Sequence, residues 1–160
     1  MPPTEQQCGI CGLIERIRAG KFPDLVAELD HSYVVLGDAQ FYRGYCILFA
    51  KHHAHELFQL PRDEALALSE ELRSVAEAIY TVVKPLKLNY ECLGNLEAHV
   101  HWHVFPRYQS EEEKLRRAPV WERPASARVQ PLEEHDRRAL MASLRAGIVK
   151  LIPTARIALD

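Results

Sequence analysis

The apolar positions of this chain recur with two different periods, and these periods predict its secondary structure. Three segments carry apolar residues every three to four positions, which is the spacing of amphipathic helices: 12–19, 61–85 and 132–150. Four short apolar runs bounded by turn residues are typical of strands: 25–29, 32–36, 44–50 and 86–93. Gly94 and Asn95 then form a turn signal, which predicts a hairpin between the last of these runs and the segment that follows.

That following segment has the clearest alternation in the chain. Histidines and large apolar residues alternate from position 99 to position 104, and a period of two is strand periodicity. Successive side chains of a strand point to opposite faces. We therefore expect Val100, Trp102 and Val104 in the core and three imidazole rings along the other, more exposed face: His99, His101 and His103.

Two kinds of chemistry suit a row of imidazoles. A zinc site made by all three rings is unfavourable, because residues four apart on a strand lie about 13 Å apart, whereas Zn–N bonds are about 2.0–2.1 Å. Neighbouring pairs remain possible ligands. The alternative is a linear substrate along which the central ring attacks, since an imidazole with a pKa near 6.5 is largely neutral and nucleophilic at pH 7.

Composition narrows the class of protein. The 160 residues are 48% hydrophobic and 26% charged, which is ordinary for one globular domain, 1–160. A net charge of -2 gives no basic field for nucleic acid, and the longest apolar run, near Tyr45–Ala50, is far shorter than the ~18 residues of a membrane span. With no basic-then-apolar signal at the N-terminus, we expect a cytoplasmic protein whose cysteines are reduced, with Cys46 and Cys92 as core thiols.

Two further clusters of possible metal ligands precede the alternating segment. Cys8 and Cys11 form a single Cys-x-x-Cys, which is typical of a zinc half-site or a redox pair. No second such pair follows, so any remaining ligands must be histidine or carboxylate. Three histidines then lie within four residues just past a predicted strand: His52, His53 and His55.

The run from His99 to Phe105 resembles the signature of the histidine-triad family of nucleotide hydrolases and transferases, His-x-His-x-His followed by two apolar residues. The Pro106-Arg107 continuation resembles members that hydrolyse dinucleoside polyphosphates. The resemblance implies an α+β fold with an antiparallel sheet of about five strands, one long helix packed on it, and short N-terminal and C-terminal helices. It divides the domain into a zinc arm with its helix (1–20), the sheet with the central helix (24–108) and a C-terminal arm with its helix (109–160).

The resemblance also implies roles for the histidines. His101 would be the nucleophile that attacks the α-phosphorus, with backbone support from around His99 and with His103 beside the α-phosphate. Zinc-binding members carry a Cys-x-x-Cys, a histidine after a Lys-x-His segment and the first triad histidine. Matching that spacing gives a closed structural Zn²⁺ site with these ligands, in which His52 is the alternative to His53: Cys8, Cys11, His53 and His99.

Five other residues correspond to substrate-binding positions of the family: Asp38, Asn89, Asn95, Arg107 and Trp121. By that correspondence Asp38 binds the ribose hydroxyls or is simply a turn residue, and Arg107 binds outer phosphates or a backbone carbonyl. Leu96 replaces the usual Ser or Thr three residues before the first histidine, which removes a hydroxyl from the leaving-group side.

The function implied is hydrolysis of a small nucleotide at its α-phosphate, on diadenosine tetraphosphate or related dinucleoside polyphosphates, with release of AMP. The alternatives are nucleotidyl transfer or phosphoramidate hydrolysis at the same site, or a zinc-stabilised nucleotide-binding module with little turnover. Family members pair as homodimers, so we expect a homodimer that binds neither nucleic acid nor membrane. The charged stretch from Glu111 to Arg117 is expected to be a solvated turn or short helix.

Overall fold

The computed structural model describes residues 7–157, and its centre is a five-stranded antiparallel sheet with the strand order β1-β2-β3-β5-β4. The strands are Leu25–Glu28 (β1), Ser32–Leu36 (β2), Cys46–Ala50 (β3), Lys87–Glu91 (β4) and His101–Arg107 (β5). The last two pair as the predicted hairpin, with Glu91 opposite His103. The expected α+β class and five-stranded antiparallel sheet are thus confirmed.

Five α-helices accompany the sheet: Gly9–Arg18 (α1), Arg62–Val83 (α2), Glu113–Arg117 (α3), Ala125–Arg128 (α4) and Glu134–Leu151 (α5). The long helix α2 follows Pro61, whose fixed φ suits a helix start, and ends where Lys84 adopts a left-handed conformation. Within residues 7–157, no helix is both long and apolar enough to cross a membrane.

One face of the sheet packs against α2 and α5. The apolar residues of the alternating segment, Val100, Trp102 and Val104, lie in this core with the apolar side of α2, as the period of two predicts. The buried positions of α5 include Leu140, Leu144 and Ile148, which continue the same core. The main hydrophobic core therefore lies behind the histidines and fixes the strand that carries them.

The other face of the sheet carries the chemistry. Helix α1 packs Ile10, Ile14 and Ile17 against the part of this face formed by β2 and β3. Phe49 and Ile47 of β3 lie opposite His101 and His103 in the β3–β5 register. The two triad rings therefore have apolar neighbours on the β3 side, whereas β4 places Glu91 next to His103 on the other side.

Three details differ from the expectations drawn from the sequence. The histidine row is not an exposed face, because His99 and His101 are only 1% and 7% exposed. His99 also precedes β5, which begins at His101. Cys46 is buried as expected, whereas the prediction of a core thiol was wrong for Cys92, which is exposed because it follows the end of the edge strand β4.

Candidate active site and metal-binding group

Four possible metal ligands from three separate parts of the chain converge beside β5. The ligand atoms of Cys8, Cys11, His53 and His99 all lie within 4.8 Å of one another. The Sγ atom of Cys8 lies 3.5 Å from Nδ1 of His99, and Sγ of Cys11 lies 3.3 Å from Nδ1 of His53. The two Nδ1 atoms are 3.3 Å apart.

These spacings match the edges of a small coordination tetrahedron. Zn–N bonds of about 2.0–2.1 Å and Zn–S bonds of about 2.3 Å place neighbouring ligand atoms about 3.3–3.8 Å apart. Four of the six separations between ligand atoms, from 3.3 to 3.6 Å, fall in that range, and all six are within 4.8 Å. Two thiols and two imidazoles are also the donor set of structural metal sites, so the residues present fit a tetrahedral metal ion.

Local structure explains why Cys8 and Cys11 face the triad. Cys8 is the N-cap of α1, and its sulfur accepts a hydrogen bond from the backbone N–H of Cys11 at 3.5 Å. The N–H of Gly9 donates to a carboxylate oxygen of Glu97 at 2.9 Å. A side chain on Gly9 would collide with that carboxylate, since a Cβ there would lie 2.6 Å from it. Glu97 therefore ties the cysteine turn to the loop that leads into the triad.

The ring of His99 is oriented by the backbone. Its Nε2 lies 2.9 Å from the carbonyl oxygen of Ala50, and a carbonyl can only accept, so Nε2 carries the proton. In the neutral ring this leaves the lone pair of Nδ1 directed at the cysteines. The ring of His53 is oriented in a similar way, since its Nε2 lies 3.1 Å from Nε2 of His55 while its Nδ1 faces the group.

His52, the alternative ligand, does not join this group. Its ring is 75% exposed, and its Nδ1 contacts both carboxylate oxygens of Glu64 at 2.9 and 3.0 Å. The chain turns between the two adjacent residues, so only one of the two rings faces the cysteines. The structure therefore brings His53 to the group and places His52 on the surface.

The central histidine is held in one tautomer. Nδ1 of His101 lies 2.6 Å from the carbonyl oxygen of His99 and must donate to it. In the neutral ring the lone pair is then on Nε2, which is the nitrogen that faces His103 at 3.2 Å. A lone pair fixed in direction by the backbone is the feature that a nucleophilic imidazole requires.

His103 is held by a side chain rather than by the backbone. Its Nδ1 lies 2.6 Å from the hydroxyl of Tyr45. If this hydroxyl accepted a hydrogen bond, Nδ1 of His103 would carry the proton and its Nε2 would carry a lone pair. That lone pair would then face the lone pair on Nε2 of His101. The consistent arrangement is that Tyr45 donates to Nδ1 and the Nε2–H of His103 points towards His101.

Burial supports these protonation states. Burial raises the pKa of Tyr45 well above its usual value, with the charge of Asp38 adding to the rise, so the phenol keeps its proton. Burial also lowers the pKa of His103 to about 4, with His101 and Arg128 contributing. His103 is therefore neutral at pH 7 and has one N–H to donate.

An aromatic cluster fixes Tyr45 and His103. The Tyr45 ring stacks on Phe105 at 4.0 Å between centroids, and the imidazole of His103 stacks on Phe105 at 5.8 Å. Gly37 makes room for this stack, because a Cβ at position 37 would collide with the Tyr45 ring. No signal in the sequence pointed to Tyr45 or Gly37, which lie far from the triad along the chain.

Trp121 reaches the triad from the C-terminal arm. Its ring is 40% exposed and lies edge-on to His103 at 5.4 Å between centroids. Its indole N–H donates to the carboxylate of Glu91 at the end of β4. Burial raises the pKa of Glu91, and the hydrogen bond from Trp121 opposes that rise. The structure thus places Trp121 beside the triad, where the sequence comparison suggested a substrate contact.

Arg107 has a structural environment instead of a phosphate-binding one. Its side chain is 3% exposed and forms a buried ion pair with Glu111 at 3.0 Å. It also donates to Asn89 and to two backbone carbonyls, those of Leu115 and Ala118. All three guanidinium nitrogens donate to protein acceptors, and the backbone-carbonyl contact, one of the two alternatives for Arg107, is present.

This ion pair also corrects the expectation of a wholly solvated charged stretch. Glu111 is 6% exposed, while the rest of the stretch forms the short helix α3, as the alternative expectation had it. Asn89 is drawn into the same network, because its side-chain oxygen accepts from Arg107 at 2.7 Å. The amide at position 89 is therefore oriented from behind by a buried cation.

The other substrate-binding candidates lie around two depressions. Asp38 is exposed at the wall of a pocket of about 510 Å³ that has an apolar side. The apolar residues that line this pocket include Leu13, Phe22, Val35 and Ile47. Asn95 is exposed at the wall of a second pocket, of about 430 Å³, beside His99, and the adjacent Leu96 is 97% exposed. Asp38 and Asn95 therefore lie at different pockets.

Comparison with known proteins gives this arrangement a family. Residues 21–110 match the HIT domain family. Similar solved structures include histidine triad proteins from Sinorhizobium meliloti (22% identity, TM-score 0.67, covering 83% of this chain and 93% of that one) and Marinobacter aquaeolei (23%, 0.68, 86% and 95%). Another is a Zn-bound histidine triad family protein from Mycobacterium smegmatis (18% identity, TM-score 0.61, covering 92% of this chain and 97% of that one).

No curated protein matches the sequence. At such low identities the solved structures show a shared fold and nothing finer. The family match rests on more than half of the chain and includes β1 to β5 with all three triad histidines. The chain therefore belongs to the histidine triad (HIT) family of nucleotide-binding hydrolases and transferases.

Proposed function

We propose that this protein hydrolyses nucleotides at the α-phosphate, with Nε2 of His101 as the nucleophile. The observation that carries the proposal is the pair of hydrogen bonds that leaves this nitrogen with a lone pair: Nδ1–H of His101 to the carbonyl of His99, and Tyr45 to His103. In the first step the Nε2–P bond forms and the bond from phosphorus to the leaving phosphate breaks. Water then cleaves the nucleotidyl-histidine and releases the nucleoside monophosphate.

His103 has a supporting role in this proposal. Its Nε2–H lies 3.2 Å from the attacking nitrogen, which puts it within reach of an oxygen on the same phosphorus. A neutral N–H donor held by Tyr45 stabilises negative charge without reorganising during the reaction. The work of the protein is then positioning and electrostatic stabilisation.

The leaving-group side favours a polyphosphate substrate over an amine conjugate. A departing phosphate is already anionic at pH 7 and needs no proton, whereas a departing amine must be protonated. Leu96 offers no hydroxyl for that purpose and is 97% exposed. We therefore propose diadenosine tetraphosphate or a related dinucleoside polyphosphate as the substrate, with AMP as a product.

The 510 Å³ pocket is proposed as the nucleoside site. Its apolar side suits a base, and Asp38 at its wall is an acceptor for ribose hydroxyls. Asn95, at the wall of the 430 Å³ pocket, and Asn89 would contact the phosphate chain.

We propose that the four-residue group holds a structural Zn²⁺ ion through Cys8, Cys11, His53 and His99. The separations between the ligand atoms support this, as does the zinc in the related structure from Mycobacterium smegmatis. A bound ion of this kind supplies cross-linking of the chain, and its four protein ligands make a closed site. Thiolate ligands need a reducing compartment, which agrees with a cytoplasmic location.

Two copies are proposed to pair through the edge strand β4. It has only one neighbour in the sheet, and Leu86 and Tyr90 on and beside it are about half exposed. Light scattering during gel filtration measures the mass directly. A monomer at micromolar concentration would contradict this part of the proposal.

The test of the function is turnover of diadenosine tetraphosphate, followed by chromatography for AMP. His101→Asn is expected to lower the rate by at least about 10³-fold, because it removes the nucleophile. The matched control is His135→Asn, which changes an exposed histidine of α5. Quenching the wild type in denaturant at alkaline pH, where a phosphoramidate bond survives, followed by intact-mass analysis is expected to show one added nucleotidyl group, which is absent in His101→Asn.

The outcomes separate the candidate functions. Equal turnover in His101→Asn and the wild type would reject the proposal. Faster turnover of an AMP–amine conjugate than of the dinucleotide would favour phosphoramidate hydrolysis. Nucleotide binding without product would favour a zinc-stabilised binding module.

A further inference from the structure

The segment 119–132, here called the C-terminal strap, crosses the chemical face of the sheet. Near its start Val120 is fully buried against the aromatic cluster around Phe105. Further along, the carbonyl of Arg128 accepts from the backbone N–H of Phe41 at 3.3 Å, and Gln130 pairs with Ala39 as a parallel bridge. The strap thus runs from the triad to the wall of the 510 Å³ pocket, which includes Val129, Gln130, Pro131 and Leu132.

Arg128 lies at the middle of this path. Its guanidinium stacks over the Trp121 ring at 4.5 Å from the centroid, and Trp121 in turn contacts His103. Its Nε donates to the carbonyl of Arg123 at 2.9 Å. Within residues 7–157, its two terminal nitrogens have no hydrogen-bond partner. Four N–H donors are therefore available beside the triad.

The charges around Arg128 explain why a cation is needed there. Glu91 lies beside Trp121, and Asp38 is close enough to Tyr45 to act on its charge. Burial is the largest cause of the raised pKa of Tyr45, which both carboxylates raise further and Arg128 lowers. An anionic phosphate beside His103 would meet these two carboxylates. Of the described arginines and lysines, Arg128 is the one whose charge acts on both Tyr45 and His103.

The other arginine near the triad is not equivalent. Arg107 is buried, and Glu111 neutralises it through a close ion pair. Its donors are directed at protein acceptors on every side. Its charge is balanced by Glu111 and its donors are already used, so the two cations differ in role.

We propose that Arg128 is a phosphate-binding residue that holds the non-bridging oxygens of the substrate's α-phosphate. The proposal rests on the function proposed above. The position follows from the strap, because Arg128 lies between the residues that line the proposed nucleoside pocket and the ring of His103. A guanidinium fork matches two phosphate oxygens, and its stacking on Trp121 holds it in place before the ligand arrives.

The test compares two ligands that differ only in the phosphate. Calorimetric titration measures the affinity of AMP and of adenosine for the wild type and for Arg128→Gln. Arg128→Gln is expected to weaken AMP binding by about 10- to 100-fold and to leave adenosine binding unchanged, because a hydrogen bond to a charged group is lost. The AMP affinity of Arg128→Lys is expected to lie between those of the wild type and Arg128→Gln, since lysine keeps the charge and loses the two-pronged guanidinium geometry.

Arg117→Gln is the matched control, since Arg117 is an exposed arginine of the same C-terminal arm, paired with Glu113. It is expected to bind both ligands as the wild type does. Equal weakening of AMP and adenosine in Arg128→Gln would show that the residue only supports the strap and would overturn the proposal, as would unchanged AMP binding. Failure of the wild type to bind AMP would instead reject the nucleotide function itself.

Discussion

The two ends of the histidine triad are fixed by different means. At the first end, His99 is oriented by a backbone carbonyl and faces two cysteines and the imidazole of His53. At the other end, His103 is oriented by the phenol of Tyr45 and surrounded by aromatic rings. The first end depends on where the backbone lies, whereas the second depends on one hydroxyl group. The metal-binding end should therefore respond to mutation through stability, and the aromatic end through activity.

The largest effect is expected from removing both thiols. The variant Cys8→Ser with Cys11→Ser should lose the proposed zinc ion and lower Tm by about 10 °C or more, because that ion would cross-link α1 to the triad loop. Elemental analysis and thermal unfolding measure the two quantities. The control is Cys92→Ser, which changes an exposed thiol outside the group. Full metal content in the double variant would contradict the assigned ligands.

Two adjacent histidines test the ligand assignment at the same end of the triad. His53→Gln is expected to weaken zinc binding by about 100-fold or more, since it removes a ligand rather than an outer contact. His52→Gln should leave the affinity unchanged, because His52 faces Glu64 at the surface. Competition with a coloured chelator measures both. A larger loss in His52→Gln than in His53→Gln would reverse the assignment.

At the aromatic end, removing one oxygen atom tests how His103 is oriented. Tyr45→Phe keeps the ring stacked on Phe105 and removes the hydroxyl that fixes His103. We expect kcat to fall by about 10- to 100-fold with unchanged zinc content, because Nδ1 of His103 loses its donor and Nε2–H is no longer specified. Tyr108→Phe is the matched control, since that hydroxyl donates to the carbonyl of Arg43 away from the triad. Equal kcat values for the two variants would refute the role of Tyr45.

The smallest expected effect is a change in the pH at which His103 titrates. Burial lowers the pKa of His103 to about 4, so its ring signals in a ¹³C- or ¹⁵N-edited spectrum should change near pH 4 rather than near 6.5. Since the unfolded chain takes up this proton first, His103 contributes stability above about pH 6.5 and loses that contribution as the pH falls towards 4. The spectrum of His103→Gln assigns the signal. A midpoint near 6.5 would show that the ring is solvated.

The sequence predicted structure best where residue types recur at short, regular spacings along the chain. The period of two over 99–104 predicted the strand and its buried residues, and the Cys-x-x-Cys with two histidines predicted a group that the structure brings together. The helices and strands lay close to their predicted bounds, because strong amphipathic patterns specify elements locally. The exceptions were Cys92, whose apolar neighbours concealed an edge-strand end, and the rings of His99 and His101, which are buried instead of exposed.

The interactions that the sequence did not predict are long-range and specific. Tyr45 and His103 are 58 positions apart, and nothing in either local pattern marks them as partners. No pattern around Glu97 marks it as a partner, yet its carboxylate accepts from the backbone N–H of Gly9, 88 positions away. The sequence left Arg107 between outer phosphates and a backbone carbonyl, and its ion pair with Glu111 was not foreseen because Glu111 lies in a stretch of charges that resembles a solvated surface. Such pairs depend on the tertiary fold.

The contact between Gly37 and the Tyr45 ring has a consequence for protein engineering. Even a methyl group at position 37 would occupy space that the phenol now fills, since the ring lies directly against the glycine. Loop libraries built around the proposed nucleoside pocket can vary its neighbours but must retain glycine at this one position. An alanine there is expected to displace the phenol from His103 and so to lower the proposed turnover, while every histidine is retained.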